Sequence, residues 1–201
     1  GLIGANDFAL GLNAKYMLNL DSEEEAEICI GCAGGVDIKA IFENKKIVEN
    51  SDNLDLYEIS ISNLAGGHSG VDIDKNIPNA IKLLIKAIKE CKGKILDING
   101  GERINSIPAN AKAIIATKNP PQKTHENMKI EKIDTKSEHL SIYDDSLLDF
   151  LYNFKNGVLA LNQELDVVQD SINLALISTK LDGIVIEFSA RSMVNENLIH
   201  I

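Results

Sequence analysis

Two periodicities meet end to end between Leu56 and Glu90, and together they restrict the fold more than any other feature of the chain. "LYEISIS" alternates with period two, setting Leu56, Glu58 and Ser60 on one face and Tyr57, Ile59 and Ile61 on the other. That is the pattern of a half-buried strand, and it stops at the glycine corner "AGGHSG". "NAIKLLIKAIKE" then places Ala80, Leu83, Leu84, Ala87 and Ile88 on one stripe with Lys82, Lys86 and Lys89 opposite, an amphipathic helix opened at Pro78 and closed near Gly93. A strand and a helix that each carry one apolar face bury those faces together, so the chain is committed to a helix-on-sheet layer.

The rest extends this layer. "KILDING" and "NAKAIIAT" read as strands flanking the turn-rich "GGERINSIPA", whereas the polar, proline-interrupted "NPPQKTHENMKIEKIDTKSEHL" reads as a loop or irregular crossover. "DSLLDFLYNF" predicts a second helix over 146–154 with Asp145 as its N-cap. "SINLALIST" and "GIVIEFSARS" are two more strands joined by the hairpin turn "KLDG". From Leu56 the order is strand, helix, strand, strand, helix, strand, strand. That order predicts an α+β fold, a ferredoxin-like antiparallel sheet with two helices on one face. Upstream, residues 6–15 suggest a short helix or turn, "YMLNL" a buried strand ending at Asp21, and "AEICIGCAGGVDI" a second strand.

At 201 residues, with 44% hydrophobic and 25% charged side chains, the chain can bury a core. A net charge of -10 speaks against nucleic acid and anionic membrane as partners, since phosphate contact needs clustered Lys and Arg. No apolar run approaches membrane-spanning length. Three cysteines without a signal peptide indicate a reducing, cytoplasmic setting. The opening "GLIGANDFAL", with no initiator Met, reads as the inside of a longer protein.

Several polar features stand out, each beside a plainer reading. Cys29 and Cys32 form a CxxC, but Cys91 is isolated and no second pair follows, so buried strand thiols explain them better than zinc or redox chemistry. His125, His139 and His200 show no ligand spacing and read as solvated. His68 sits among Gly66, Gly67 and Gly70, either a surface residue on a glycine corner or an imidazole presented by an unusual backbone. Arg103 and Asn105 lie in a connection where polar side chains are ordinary. Arg191 ends an apolar strand and needs a carboxylate partner, from the protein or from a ligand. The acidic run Asp21, Glu23, Glu24, Glu25 and Glu27 reads as a solvated turn, except that Asp21 follows a strand, where sheets present metal ligands.

Taken in order, "NLDSEEEAEICIGCAGG", "GGHSGVDI" followed by "NA", "NGG" with "N" and "IP", and "ARS" after an alternating strand resemble the aminoacyl-histidine dipeptidases, Xaa-His peptidases of the di-zinc aminopeptidase and carboxypeptidase clan. The match is specific around 18–80, good around 97–117 and thinner over 156–193. The resemblance implies a zinc-binding catalytic α/β domain interrupted by a lid and dimerisation domain. Residues 1–45 then form a remnant of the catalytic domain and 46–201 the lid. It implies that Asp21 ligates one of two zincs, that His68 reaches the active site of the partner subunit to stabilise an oxyanion, and that Asn105 and Arg191 contact the substrate's C-terminal carboxylate side. The family usually carries Arg directly before that Asn, where Ile104 stands here. Its remaining metal ligands and its Glu-Glu pair have no counterpart in the sequence.

The resemblance therefore implies a homodimeric, cytoplasmic zinc dipeptidase acting on dipeptide substrates, of which this chain is the lid with a catalytic strip, inactive by itself. Two other readings are a non-catalytic ferredoxin-like dimerisation or binding module, and a tripeptidase or amidohydrolase of the same clan.

Overall fold

The computed structural model describes residues 15–16, 32–43, 46–50, 53–134 and 139–201. The expectations for residues 6–14 and 17–31, including the strand before Asp21 and the acidic turn, lie outside the described residues. The chain divides into two compact units, Gly1–Cys32 and Ala33–Ile201, and the architecture below is that of the second. This division falls before the strand Gly34–Glu43, whereas the sequence reading drew its boundary after it.

The elements in chain order are β1 (Gly34–Glu43), β2 (Lys46–Asn50), β3 (Asp55–Ile61), β4 (Gly67–His68), α1 (Ala80–Glu90), β5 (Lys94–Gly100) and β6 (Ser106–Ile107). They continue with β7 (Ala111–Thr117), β8 (Met128–Ile133), β9 (His139–Tyr143), α2 (Asp145–Asn153), β10 (Gly157–Asn162), β11 (Val167–Lys180) and β12 (Gly183–Ser192). An antiparallel sheet runs β1-β12-β11-β5-β7-β3-β8, with β10 beside β11. The α+β class and the two helices over one sheet face agree with the sequence, but the sheet has eight strands, seven in its main order and β10 beside β11.

The alternation read in β3 is borne out: Tyr57, Ile59 and Ile61 are buried while Leu56, Glu58 and Ser60 are less so. They pack under Ala80, Ile81, Leu84, Ile85 and Ile88 of α1. Leu147, Leu148 and Leu151 of α2 complete the same layer over Leu174, Ile186 and Phe188. Each fully buried side chain of this size stabilises the fold by about 1.5–3 kcal/mol. Phe154 and Phe188 stack with centroids 4.6 Å apart. On the opposite face β9 covers a smaller cluster, in which Leu140 and Ile142 meet Ala116, Leu56 and Leu96.

The N-cap of α1 is Asn79, whose Oδ1 accepts from the N–H groups of Ile81 and Lys82. Lys82 is not a solvated lysine of the polar stripe. Its ammonium donates to the carbonyls of Leu151, Tyr152 and Phe154, capping the C-terminus of α2. The cap of α2 is Asp144, one residue before the expected Asp145, because its carboxylate takes the N–H of Ser146 while Asp145 already lies in the first turn and pairs with Lys94. The segment expected to be an irregular crossover contains β8 and β9. Half of the side chains of edge strand β8 are exposed and charged, and Met128 is its only buried residue. Cys32 is exposed just before β1 rather than buried in a strand, and Cys91 is buried at the end of α1. His125 is half-buried, its Nδ1 accepting from the Asn127 N–H, and is not simply solvated.

No helix of the described residues is long and apolar enough to cross a membrane.

Candidate functional site

Strands β3, β5 and β7 end together where Ile61 and Gly100 both lie opposite Ala111. The chain leaves that end in two loops, 62–78 and 101–110, which zip into a ribbon. Leu64 N–H donates to the Ala109 carbonyl at 3.2 Å, β4 pairs with β6, and Ser69 N–H donates to the Asn105 carbonyl at 2.9 Å. Glu102 braces the second loop, accepting from Ala109 N–H, Asn110 N–H and the Asn110 side chain. Gly101 must be glycine: its φ is +84°, and a Cβ there would stand 1.9 Å from the Ala175 carbonyl oxygen.

His68 is exposed at the tip of this ribbon, paired with Ser106. Its Nδ1 accepts from the backbone N–H groups of Gly70 and Val71, each at 3.2 Å. Two donors aimed at Nδ1 make that nitrogen the acceptor and leave the proton on Nε2, an N–H directed away from the corner. The His68 backbone is held as well, since its N–H donates to Asp72 Oδ2 at 2.7 Å and its carbonyl accepts from Asp72 N–H at 2.9 Å. The Asp72 carboxyl lies below its ordinary range, chiefly through the hydrogen bond from Lys75 and then through that from His68 N–H.

Arg191 arrives from β12, between Gly35 of β1 and Ser171 of β11. Its guanidinium lies against Gly70: a Cβ on that glycine would meet Arg191 Nε at 2.9 Å and Cζ at 3.0 Å. Arg191 forms no ion pair with any described carboxylate, and its Nε is buried without a hydrogen-bond partner. A half-buried guanidinium with no counter-charge among the described residues is a ready seat for a carboxylate ligand.

The next turn of chain is fixed by Asp170, which accepts from the Ser192 hydroxyl and the Asn197 side chain. Burial, the largest influence, pushes its carboxyl up, but the hydrogen bonds from Ser192, Asn197 and Gln169 together carry it below its ordinary value.

The fold therefore gathers three of the four residues singled out by sequence. Asn105 is exposed and faces Ser69 through its backbone, His68 lies one residue before Ser69, and Arg191 packs on Gly70 one residue after it. The fourth, Asp21, lies outside the described residues. Arg103 is exposed and uses its carbonyl to close the turn with Ser106. Sequence reasoning passed over Asn173 and Ser69. Asn173 is fully buried and donates to the Ser106 carbonyl at 2.8 Å, tying the ribbon to β11. Its signal was an amide inside the apolar run "SINLALIST". Among the described residues no group of three or more His, Cys, Asp or Glu could hold a metal ion, so the residues gathered here do not themselves form a metal centre.

Residues 59–142 match the family model of a peptidase dimerisation domain, M20_dimer. The chain is 30% identical over 179 residues to the cytosol non-specific dipeptidase of Escherichia coli strain K12, an alignment that takes in 85% of this chain and 33% of that protein. The crystal structure of aminoacylhistidine dipeptidase from Vibrio alginolyticus superimposes with a TM-score of 0.75 at 25% identity, covering 94% of this chain and 45% of the other. The resemblance to aminoacyl-histidine dipeptidases read from the motifs is thus borne out. The chain spans about a third of the length of the curated relative and less than half of the solved one.

Proposed function

We propose that this chain, with a peptidase dimerisation domain and likenesses to dipeptidases over most of its length, is the lid and dimerisation portion of a zinc-dependent dipeptidase that hydrolyses Xaa-His and other dipeptides. The observation that carries the reading is the corner at Gly70, where an imidazole whose Nδ1 accepts two backbone N–H groups adjoins a guanidinium that has no counter-charge among the described residues. The two groups match the scissile amide and the free carboxylate of a dipeptide. The His68 Nε2–H donates to the amide oxygen as it gains negative charge, and loss of one such donor costs about 3–4 kcal/mol of transition-state binding. Arg191 takes the free C-terminal carboxylate in two-pronged fashion, with Asn105 on the same side, which favours a dipeptide over a protein substrate.

Zinc, Asp21 as one of its ligands, and residues 1–45 as a strip of the catalytic domain belong to this proposal and rest on the family resemblance. The described residues bind and orient substrate. The chemistry that cleaves the amide belongs to the longer protein, so this chain alone is expected to be inactive. A homodimer in which His68 serves the partner's site, and a cytoplasmic location, follow from the same reading.

The test is turnover of an Xaa-His dipeptide by the longer protein carrying His68→Ala. The reading expects kcat to fall about 100- to 1000-fold, as for other oxyanion donors. Near-normal kcat would contradict the role given to His68.

A further inference from the structure

We infer that Gly70 is the positioning residue that couples the two ends of the site, setting the plane of the Arg191 guanidinium and the tautomer of His68 through one peptide segment. The inference rests on the proposed roles of His68 and Arg191 and goes beyond them to how they are held together.

Three observations converge on this glycine. Its φ does not lie in the left-handed region, unlike that of Gly66 at +63°, so backbone conformation is not what requires glycine here. What requires it is contact: a Cβ would stand 2.9 Å from Arg191 Nε, 3.0 Å from Cζ and 3.2 Å from Nη1. Three atoms of the guanidinium at nearly one distance mean that the planar group lies flat over the bare Cα, the stacking for which Arg is suited. The same residue's N–H, with that of Val71, is bound to His68 Nδ1.

A side chain at position 70 would therefore lift the guanidinium or push back the segment. Pushing back the segment moves the two N–H groups that keep the His68 proton on Nε2. Ligand binding works through the same link in the other direction, because a carboxylate that fixes the Arg191 plane also fixes the segment carrying the donors to His68. Ser69, 2% exposed and with its hydroxyl unpartnered, reaches the Asn105 turn through its backbone N–H.

The sequence makes the test direct, because Arg103 and Arg191 are the only arginines in the chain. The side-chain Nε–H region of a nitrogen-15 correlation spectrum then contains two signals, one from exposed Arg103 and one from the buried Nε of Arg191. In the unaltered chain the Arg191 Nε–H is expected to exchange with water at least about tenfold more slowly than that of Arg103, with His68 predominantly in the Nε2–H form. Gly70→Ala should bring Arg191 exchange to within about threefold of Arg103 and shift His68 toward a mixture of tautomers. The double variant Gly70→Ala with Arg191→Ala removes the clash and should restore the His68 tautomer, which also keeps the test valid if the single variant folds poorly.

Unchanged Arg191 protection in folded Gly70→Ala, or a tautomer shift that persists in the double variant, would overturn the inference. Failure of the functional reading is separate: it would appear as an Arg191→Ala variant of the longer protein that treats free and amidated dipeptides alike, whatever the spectra show.

Discussion

At His68 the backbone sets the chemistry. Two N–H groups fix the acceptor, and the Asp72 carboxylate holds the same residue by its main chain. The folded-state carboxyl of Asp72 is lowered, so its contribution to stability is fully present above the unfolded carboxylate value and is lost as pH falls through the folded one. Asp170 behaves with the same sign at the strand end that carries Arg191. We therefore expect acid titration to loosen the two halves of the site below about pH 4. Asp170→Asn should flatten the acid limb of a stability-versus-pH curve measured by denaturant unfolding, and an unchanged limb would count against the Asp170 network. His68 and Arg191 were legible in sequence because each interrupts a simple pattern, a glycine run in one case and an apolar strand in the other. Ser69 and Gly70 were not, since Ser69 is held by the Asn105 loop and Gly70 faces a strand about 120 residues further along the chain.

Among the elements, α1 was legible as an amphipathic helix, because one apolar face repeating every three to four residues admits few alternatives, but its Asn79 cap and the burial of Ile81 and Ile85 in place of half-buried Leu83 were not. Its end holds a surprise. Lys92, exposed, adopts φ +52° in the left-handed position after the helix, while Gly93, whose N–H reaches the Ile88 carbonyl, is required for packing because a Cβ would stand 2.8 Å from Ile115 Cδ1. Lys92→Gly should accordingly stabilise the protein by about 0.5–1 kcal/mol, read as a rise of a few degrees in Tm. Asn79→Ala should do the reverse by about 2–3 kcal/mol in denaturant unfolding, since it removes the cap and also the donor to the buried Leu174 carbonyl. Edge strand β8 escaped notice for a physical reason. A strand at the rim needs only one apolar side, and "MKIEKI" spends half of its positions on charges that keep the edge from pairing further.

Across the whole molecule, the width of the sheet could not be read from local pattern, because the antiparallel order of β11 beside β5 and of β1 beside β12 is set by pairings distant in sequence. The consequence for function is geometric: β12, four strands from β3 in the sheet, carries Arg191 to the loop that grows from β3. If the dimerisation domain acts as its family match suggests, light scattering of this chain at high concentration should give twice its 21.9 kDa mass, and a strict monomer would count against a dimer formed through this domain alone. The central claim is that Arg191 seats a substrate carboxylate beside an oxyanion donor. Its most direct test is kcat/KM of the longer protein and its Arg191→Ala variant, measured on a dipeptide and on the same dipeptide amidated at its C-terminus. The substitution should cost about 100-fold or more on the free dipeptide and less than about threefold on the amide, in keeping with loss of a two-pronged charged contact. Equal losses on both substrates would contradict it.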